Sequence, residues 1–370
     1  MPDPVYVTQP HLPALDRFLP YLERIWASRV LTNGGPFHQE LEAALCEYLD
    51  VRHVSLFTNG TIALVTALQA LGIRGEVITT PYSFVATAHA LLWNGIRPVF
   101  VDVDPHTHNL DPAQVAAAVT RETSAILPVH VYGQPCDLDG VDAAARQHGL
   151  RVIYDAAHAF GVRMDSGSLL ARGDLSVLSF HATKVFNTFE GGAIVSPDAA
   201  TKLRIDQLKN FGFVDEVTVV EAGINGKMSE FNAALGLVQL NEVEAAIESR
   251  AAVVRRYRDA FSGVEGLRLL PEPSGVRDNH AYFPLFIAPP FRRSRDGIYA
   301  RLRERDIYAR RYFHPLISEF PMYRDLPSAR PENLPHAHRA AREVLCLPLY
   351  PALSGADQQR VIDTVLEGRP

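Results

Sequence analysis

The stretch RVIYDAAH, residues 151–158, contains a short apolar run, Val152–Tyr154, that is followed at once by an aspartate. A second stretch, LSVLSFHATK (residues 175–184), places a lysine shortly after a similar apolar run. Runs this short, bounded by polar segments, are typical of strands that are buried on both faces of a parallel sheet. Both stretches therefore predict sheet strands that are followed by chemically reactive residues.

Helical patterns alternate with such runs along most of the chain. Further strands are predicted at Val54–Thr58, Glu76–Thr80, Pro98–Val103, Ser124–His130, Leu175–Phe180 and Gly192–Val195, and helices at Thr61–Leu71, Val85–Trp93, Asp111–Val119 and Leu138–Gln147. Strands that alternate with helices imply crossover connections. We therefore predict an α/β fold with a large, mostly parallel sheet that is covered on both faces.

The pattern changes near Asn232, where residues 232–258 predict one long helix. Strands at Leu267–Leu270 and Ala281–Ile287 follow, and then helices at Ser294–Arg305, His336–Val344 and Ser354–Leu366. We therefore predict two domains. Residues 1–245 would form an N-terminal segment and the large α/β domain, and residues 246–370 a smaller α+β domain.

Composition excludes several classes of protein. The 370 residues carry a formal charge of −6, from 36 Lys+Arg and 42 Asp+Glu, which argues against a dedicated nucleic-acid binder. No apolar run approaches the length of a membrane span, and Met1–Pro10 lacks the features of a signal peptide, so we expect a cytoplasmic protein with no membrane association. His106 and His108 have no third ligand placed by spacing, so no metal is expected.

Ligands of open α/β sheets bind beyond the carboxyl ends of the strands, so the residues that follow each predicted strand are candidates. Thr58-Asn59-Gly60-Thr61 is a polar turn that opens a helix, where free N–H groups favour an anion such as phosphate. An ordinary helix cap by Asn59 or Thr61 would explain the same residues. The sequence has no GxGxxG and no GxxxxGK[ST], which disfavours a dinucleotide site and a P-loop NTPase.

Asp155 and Lys184 complete a possible cofactor site. A carboxylate at the end of a buried strand is costly unless it meets a cation such as a pyridinium nitrogen, although a helix cap is the common alternative. A lysine between two buried runs loses solvation, which lowers its pKa and frees a nucleophilic amine; a surface lysine with an apolar stem is the alternative. The aspartate follows the phosphate-type turn by about 95 residues, and the lysine follows the aspartate by 29 residues. This order matches the way in which fold-type I proteins hold pyridoxal 5′-phosphate (PLP).

The chain resembles the DegT/DnrJ/StrS family of PLP-dependent nucleotide-sugar aminotransferases over nearly its whole length. The resemblance implies the aspartate aminotransferase-like fold. It rests on the segments Leu31–Pro36, Thr58–Thr61, Pro128–Gln134, Asp155–His158, Ser179–Gly192, Gly223–Glu230 and Arg311–Leu316.

The resemblance also implies roles for individual residues. Lys184 would form the Schiff base with PLP and shuttle the proton, Asp155 would pair with the ring nitrogen, and His158 would lie near the phenolic oxygen. The other residues implied to bind the cofactor are Gly60 and Thr61 through their N–H groups, the Ser179 hydroxyl, the Phe84 ring, and Asn225, which would reach the partner's phosphate in a homodimer with shared sites. The residues implied to bind the sugar are Asn187, Glu190, Tyr312 and His314.

The loop after the strand that precedes Lys184 bears on the substrate. Family members that act at C-3 of the sugar tend to read Ser-Phe-Tyr-Pro-x-Lys-Asn-Leu-Gly, whereas this chain reads HATKVFNT over residues 181–188. That version is similar to enzymes that aminate C-4. The resemblance therefore implies transfer from L-glutamate, with pyridoxamine phosphate between the two halves, to dTDP-4-keto-6-deoxy-D-glucose, giving dTDP-4-amino-4,6-dideoxyglucose.

Three alternatives stay open at this point. One is a C-3 aminotransferase, and a second is a sugar dehydratase of the same fold, in which a histidine replaces the Schiff-base lysine. The third is a non-catalytic sensor that binds PLP or a sugar nucleotide. Lys184 disfavours the dehydratase, and the set of Lys184, Asp155, Ser179 and Asn225 would be hard to explain in an inert protein.

Overall fold

Fifteen strands form four sheets within residues 3–367, which the computed structural model describes. The strands are β1 (Val5–Tyr6), β2 (His53–Phe57), β3 (Glu76–Thr79), β4 (Arg97–Phe100), β5 (Thr123–Leu127), β6 (Arg151–Asp155), β7 (Arg163–Met164), β8 (Gly167–Ser168), β9 (Leu175–Ser179), β10 (Gly192–Ser196), β11 (Leu267–Leu269), β12 (Val276–Arg277), β13 (Phe283–Ile287), β14 (Ile307–Tyr308) and β15 (Val344–Leu347).

Twelve α-helices accompany these strands in the same residues. They are α1 (Leu15–Ser28), α2 (Pro36–Leu49), α3 (Gly60–Ala70), α4 (Ala86–Trp93), α5 (Val115–Ala118), α6 (Leu138–His148), α7 (Ala199–Leu208), α8 (Glu230–Leu240), α9 (Val243–Phe261), α10 (Arg295–Arg303), α11 (Pro335–Glu343) and α12 (Gly355–Leu366). None of them is long and apolar enough to cross a membrane.

The large sheet has seven strands in the order β2-β10-β9-β6-β5-β3-β4. All neighbouring pairs are parallel except the two that β10 forms with β2 and β9, so the prediction of a mostly parallel sheet is confirmed. Apolar clusters cover both faces, and along β9 Val177 packs in one cluster and Leu178 in the other. The carboxyl ends of six strands therefore meet at one edge, where β10 begins with Gly192 opposite Ser179.

A second, antiparallel sheet of three strands, β11-β13-β15, lies in the C-terminal part of the chain. Its apolar cluster includes Tyr257 and Phe261 of α9 and Val361 of α12. The chain's first strand, β1, pairs in parallel with β14 of this part. The N-terminal segment is thereby attached to the C-terminal part of the fold.

A third apolar cluster contains residues from both parts of the chain. It joins Tyr82 and Tyr132 of the first part to Phe286 and Phe313 of the second. The predicted division between residues 245 and 246 falls inside α9, and the two domains stay a prediction.

The prediction of one long helix over residues 232–258 is wrong, because α8 ends at Leu240 and α9 begins at Val243. Asn241 follows α8, where its side chain donates to the Leu237 carbonyl. Glu242 precedes α9 and binds Arg17 and His11 from the N-terminal segment. Apolar spacing continues across this short break, so the sequence pattern does not reveal it.

Smaller differences occur at element ends. The predicted helix over Asp111–Val119 is a 3₁₀ turn, Pro112–Gln114, followed by the one-turn α5, and Val344 begins β15 rather than ending α11. No element is predicted before Val54, whereas the structure has β1, α1 and α2 there.

A buried carboxylate fixes α11 to the large sheet. Asp102, two residues beyond β4, is only 1% exposed, and its oxygens accept the N–H groups of His336 and Ala337 at 2.8 Å each. Both groups belong to the first turn of α11, whose N–H groups have no acceptor within the helix. Asp102 therefore caps a helix about 235 residues further along the chain.

We expect Asp102→Ala to lower the free energy of unfolding by about 1–3 kcal/mol, because two buried donors lose their acceptor. Asp102→Asn keeps one acceptor oxygen and should lose less. Urea unfolding followed by circular dichroism at pH 7 measures both variants. Equal midpoints for the wild type and Asp102→Ala would show that this cap does not stabilise the fold.

Candidate active site

A cavity of about 310 Å³ lies at the carboxyl edge of the large sheet. It is lined by the start of α3, the start of α4, the ends of β6 and β9 and the loops that follow them, and two segments of the C-terminal part. Nine residues predicted to bind ligands lie in this lining, namely Gly60, Thr61, Phe84, Asp155, His158, Ser179, Lys184, Glu190 and Tyr312. A larger cavity of about 450 Å³, around Arg52, Asp174 and Ser196, contains none of them.

One end of the cavity is formed by the first turn of α3. The Asn59 side chain accepts the Ile62 N–H at 2.9 Å, and the Asn59 carbonyl accepts the Ala63 N–H at 3.2 Å. The N–H groups of Gly60 and Thr61 have no acceptor within residues 3–367. Asn59 is therefore an ordinary helix cap, and the turn still presents two N–H groups suited to an anion.

Two glycines allow this helix end to lie against β9 and β10. A Cβ atom on Gly192 would lie 2.7 Å from the Gly60 nitrogen, and one on Gly60 would lie 3.0 Å from the Ser179 Cβ. The first distance is shorter than real Cβ contacts, and the second is tighter than most of them. The absence of side chains here brings the free N–H groups of α3 beside the Ser179 hydroxyl.

At the other end, the carboxylate of Asp155 is only 4% exposed. Oδ2 accepts the Thr87 hydroxyl at 2.8 Å, and Oδ1 accepts the Ala157 N–H at 3.1 Å. Burial raises the pKa of Asp155, and these two hydrogen bonds and the Lys184 charge act against that rise. Within residues 3–367 the carboxylate forms no salt bridge, so a cation in the cavity would relieve its burial.

Lys184 lies in the loop after β9 and is partly buried. Loss of solvation lowers its pKa to about 8, and the charge of Asp155 acts in the opposite direction. A substantial fraction of this amine is therefore uncharged just above neutral pH. An uncharged amine can act as a nucleophile or accept a proton, as predicted from the sequence.

His158 lies beside these groups and is 4% exposed. Its Nδ1 accepts the Tyr132 N–H at 3.2 Å, and burial, followed by the nearby Lys184, lowers its pKa well below the usual value. The ring is therefore neutral, and its proton belongs on Nε2. His158 can thus donate one hydrogen bond to a ligand, while its ring stacks on Phe313 at a centroid distance of 6.0 Å.

More exposed side chains surround the mouth of the cavity. Phe84 is 59% exposed, and the exposed Glu190 lies 3.6 Å from the His181 ring. The Tyr312 carbonyl accepts the hydroxyl of Tyr132, and burial raises the pKa of the Tyr312 phenol to about 12. These groups offer an aromatic face and polar atoms to the outer part of a ligand.

Three predicted residues lie outside the lining. Asn187 is fully buried, and its Nδ2 donates to the His11 carbonyl at 3.1 Å. Asn225 and His314 are exposed on the surface. Asn187 therefore fastens the N-terminal segment, and a sugar contact from it or from His314 stays a prediction.

Four further residues line the cavity without having been predicted from the sequence, namely Ser83, Thr87, Tyr282 and Phe313. Ser83 and Thr87 flank the start of α4 with the spacing of one helical turn, which is the only local signal they carry. Within the described residues, no group of three or more possible metal ligands is present.

The chain is similar to known proteins over nearly its whole length. The family model described as the DegT/DnrJ/EryC1/StrS aminotransferase family matches residues 15–366. A dTDP-4-amino-4,6-dideoxy-D-glucose transaminase of Escherichia coli is 54% identical over 349 residues, 94% of each chain. A Shigella dysenteriae protein of the same name is 51% identical over 368 residues, 99% of this chain and 100% of the relative.

Solved structures agree with the fold. The crystal structure of DesI in the presence of its TDP-sugar product superposes with a TM-score of 0.94 at 39% identity, over 99% of this chain and 93% of that one. Helicobacter pylori PseC, an aminotransferase involved in the biosynthesis of pseudoaminic acid, gives a TM-score of 0.92 at 27% identity, over 99% of both chains. The predicted family and the fold-type I architecture are therefore confirmed.

The lowered pKa of Lys184 can be measured by competitive acetylation of the ligand-free protein across pH, because the chain has only four lysines, Lys184, Lys202, Lys209 and Lys227. We expect half-maximal reactivity of Lys184 near pH 8. Asp155→Asn removes a negative charge that raises this pKa, so its midpoint should be lower still. Peptide mass spectrometry resolves each lysine.

Lys202 is the internal control. It binds Glu42 and Asp206 at 2.9 Å each, and these carboxylates raise its pKa despite its burial. The pH of its half-maximal reactivity should therefore lie above the ordinary lysine pKa of about 10.4. A Lys184 midpoint at that ordinary value would contradict the electrostatic description of the site.

Proposed function

Because the chain belongs to the DegT/DnrJ/EryC1/StrS aminotransferase family, we propose that it uses PLP to transfer the amino group of L-glutamate to C-4 of dTDP-4-keto-6-deoxy-D-glucose. The product would be dTDP-4-amino-4,6-dideoxy-D-glucose. The observation that carries the proposal is one cavity that unites a free helix N-terminus, a buried carboxylate and an amine of lowered pKa. The names of the two curated transaminases support the choice of sugar.

The residues of the cavity fit PLP. Its phosphate is an anion, for which the N–H groups of Gly60 and Thr61 and the Ser179 hydroxyl are suited. Its ring nitrogen is a cation when protonated, and the buried carboxylate of Asp155 forms no salt bridge within residues 3–367. Its aldehyde reacts with amines, and Lys184 is the one amine in the lining.

When bound, PLP would supply a carbonyl that accepts the amino group and a cationic ring that draws electrons from the reacting carbon. Asp155 would keep that ring protonated, since a carboxylate favours a neighbouring cation. His158 would donate its Nε2 proton to an oxygen of the ring. The Phe84 ring would cover one side of the cofactor and exclude water from it.

Lys184 would move the proton in both halves of the reaction. With a pKa of about 8, its amine can take a proton from carbon when glutamate is the donor and return one when the keto sugar is the acceptor. Because both substrates react at the same position in one cavity, glutamate must leave as the keto acid before the sugar reacts. Ping-pong kinetics follow from this order.

The carbon that receives nitrogen depends on how the sugar is oriented at the mouth of the cavity. The ketone carbon of the sugar must lie close to the amino group that it receives. The groups that bind the rest of the sugar therefore decide which carbon is aminated. Glu190, His181 and Tyr312 line that mouth and offer hydrogen-bond partners for hydroxyl groups. The loop over residues 181–188, which is similar to that of C-4 enzymes, supports transfer to C-4.

The proposal is tested with purified protein, PLP, L-glutamate and dTDP-4-keto-6-deoxy-D-glucose, with the product identified by NMR. We expect nitrogen on C-4 and a change in visible absorbance when glutamate alone is added. Lys184→Ala should fold and lose about 10²–10⁴-fold or more in turnover, because both proton transfers need the amine. A 3-keto-6-deoxyhexose nucleotide is offered in parallel, and its amination without amination of the 4-keto sugar would favour the C-3 alternative. A visible band that glutamate does not change, without any product, would favour a sensor.

We further propose that the active unit is a homodimer in which Asn225 of each protomer reaches the phosphate of the other site. Asn225 is exposed and lies outside its own cavity, next to Gly226, whose carbonyl accepts the Thr58 N–H at 2.8 Å. Exposed apolar residues surround this segment, namely Phe211, Phe213, Val214, Val217, Val219, Val220 and Ile224. Burial of these side chains against a second copy would stabilise such a dimer.

Mixing two impaired variants tests the shared site. Asn225→Asp places a carboxylate near the phosphate, and Lys184→Ala removes the amine. If the sites are shared, each mixed dimer has one intact site, and equal mixing with free exchange should restore about a quarter of the wild-type activity, because about half of the dimers are mixed.

Asn333→Asp makes the same charge change at another exposed asparagine and should stay as active as the wild type. Native mass spectrometry confirms that mixed dimers form. Mixed dimers without recovered activity would place Asn225 in its own protomer's site.

A further inference from the structure

Two buried hydroxyl groups lead to the carboxylate of Asp155. Thr87, at the start of α4, is 1% exposed, and its Oγ1 donates to Asp155 Oδ2 at 2.8 Å. Ser83 is 4% exposed, and its Oγ lies 2.9 Å from Thr87 Oγ1. Since the single proton of the Thr87 hydroxyl goes to the carboxylate, Ser83 must donate to Thr87. The two hydroxyls therefore form a chain that is directed toward Asp155.

We propose that Ser83 and Thr87 are positioning residues that keep Asp155 ionised for binding the cofactor's ring nitrogen. This inference rests on the proposed function, because it concerns the same site. It assigns a role to two residues for which the family resemblance implied none.

The electrostatic surroundings of Asp155 show why such donors matter. Burial raises the pKa of this carboxylate, and the Thr87 hydroxyl opposes the rise more strongly than the Ala157 N–H or the Lys184 charge. Lys184 loses its charge as pH passes about 8, so its contribution falls in the working range of the amine. The hydroxyl and N–H donors do not titrate, and they stabilise the ionised carboxylate at every pH.

The other titratable groups around Asp155 are uncharged near neutral pH. Burial lowers the pKa of His158 and of His130, whose backbone N–H donates to the Asp155 carbonyl at 3.1 Å. Burial raises the pKa of Tyr282 and Cys136, which therefore keep their protons. Apart from Lys184, none of these groups can replace the hydroxyl chain in stabilising the negative charge.

Loss of the Thr87 hydroxyl should therefore raise the pH at which Asp155 ionises. A hydrogen bond to an ionised carboxylate lowers the pH at which the carboxyl ionises by about one to two pH units. Removing the donor should reverse this effect. A protonated carboxyl no longer attracts a cationic ring. As the pH is lowered, the affinity of the variant for PLP should therefore begin to fall at a higher pH than that of the wild type. Thr87 also ties α4 to β6, so a purely structural role must be distinguished from this electrostatic one.

The experiment measures the dissociation constant of PLP by equilibrium dialysis between pH 5 and 9, independently of turnover. The acidic limb is the part of the binding curve in which the affinity for PLP falls as the pH is lowered. In Thr87→Val this limb should move to higher pH by about one pH unit, so that binding at a given pH on the limb is about tenfold weaker. Thr87→Ser keeps the donor and should follow the wild-type limb. The phosphate of PLP titrates equally in every variant, so only the displacement between variants is interpreted.

Thr66→Val is the matched control. Thr66 lies in the neighbouring helix α3, is 2% exposed, and its hydroxyl has no hydrogen-bond partner within residues 3–367. The same loss of a buried hydroxyl should leave the acidic limb unmoved. Ser83→Ala provides a second variant if Thr87→Val does not fold, and a smaller displacement in the same direction is expected.

The outcomes separate this inference from the proposed function. Three results would overturn the inference. The acidic limb of the PLP-binding curve could stay unmoved in Thr87→Val, or it could move equally in Thr66→Val. It could also move in Thr87→Ser as far as in Thr87→Val. If Thr87→Val does not fold, an unmoved limb in Ser83→Ala would overturn it as well. Failure of the wild type to bind PLP would overturn both proposals, whereas PLP binding with the expected displacements but no amination of the sugar would overturn the proposed function alone.

Discussion

The buried negative charge of Asp155 is the constraint on which the site depends. A carboxylate removed from water is stable only when hydrogen-bond donors and cations surround it, and here they come from different parts of the fold. The Thr87 hydroxyl comes from α4, the Ala157 N–H from the turn after β6, and the nearby charge from Lys184 after β9. Within residues 3–367 no cationic side chain forms a salt bridge with this carboxylate, which suits it to a pyridinium ring.

The position of the N–H groups suited to an anion, at the start of α3, depends on one strand that runs in the reverse direction. Because β10 runs against its neighbours, its first residue, Gly192, lies at the edge where β2 and β9 end. A residue with a side chain there would push away the Asn59–Gly60 peptide that opens α3. Reversal and glycine together bring the free N–H groups of α3 onto the same edge as Asp155, so that one cavity can hold both ends of a phosphorylated ring.

Sequence reasoning succeeds where the signal is local. Asp155 and Lys184 can be predicted because each follows a buried strand, and Gly60 and Thr61 because they open a helix. Thr87 cannot, since its role depends on an atom of Asp155, 68 residues away, and a threonine near a helix start is ordinary. Asn187 belongs to the same polar loop as Lys184, yet it is buried against His11, because side-chain direction in a loop is fixed by tertiary contacts. The break after Leu240 escapes prediction for a similar reason, as the apolar spacing continues through it.

The charges of the cavity bear on how an aminotransferase of this family completes its site. Glutamate carries two carboxylates, and a nucleotide sugar carries a diphosphate, so both substrates of the proposed reaction bring negative groups in addition to the cofactor phosphate. In the described part of the chain, the basic side chains of the lining are Lys184, His158 and His181, and no arginine is among them. His158 is neutral, and Lys184 would be engaged at the reacting centre in the proposed reaction. Cationic partners for these groups would come from beyond this lining, and the homodimer with shared sites that is proposed above is one source of them.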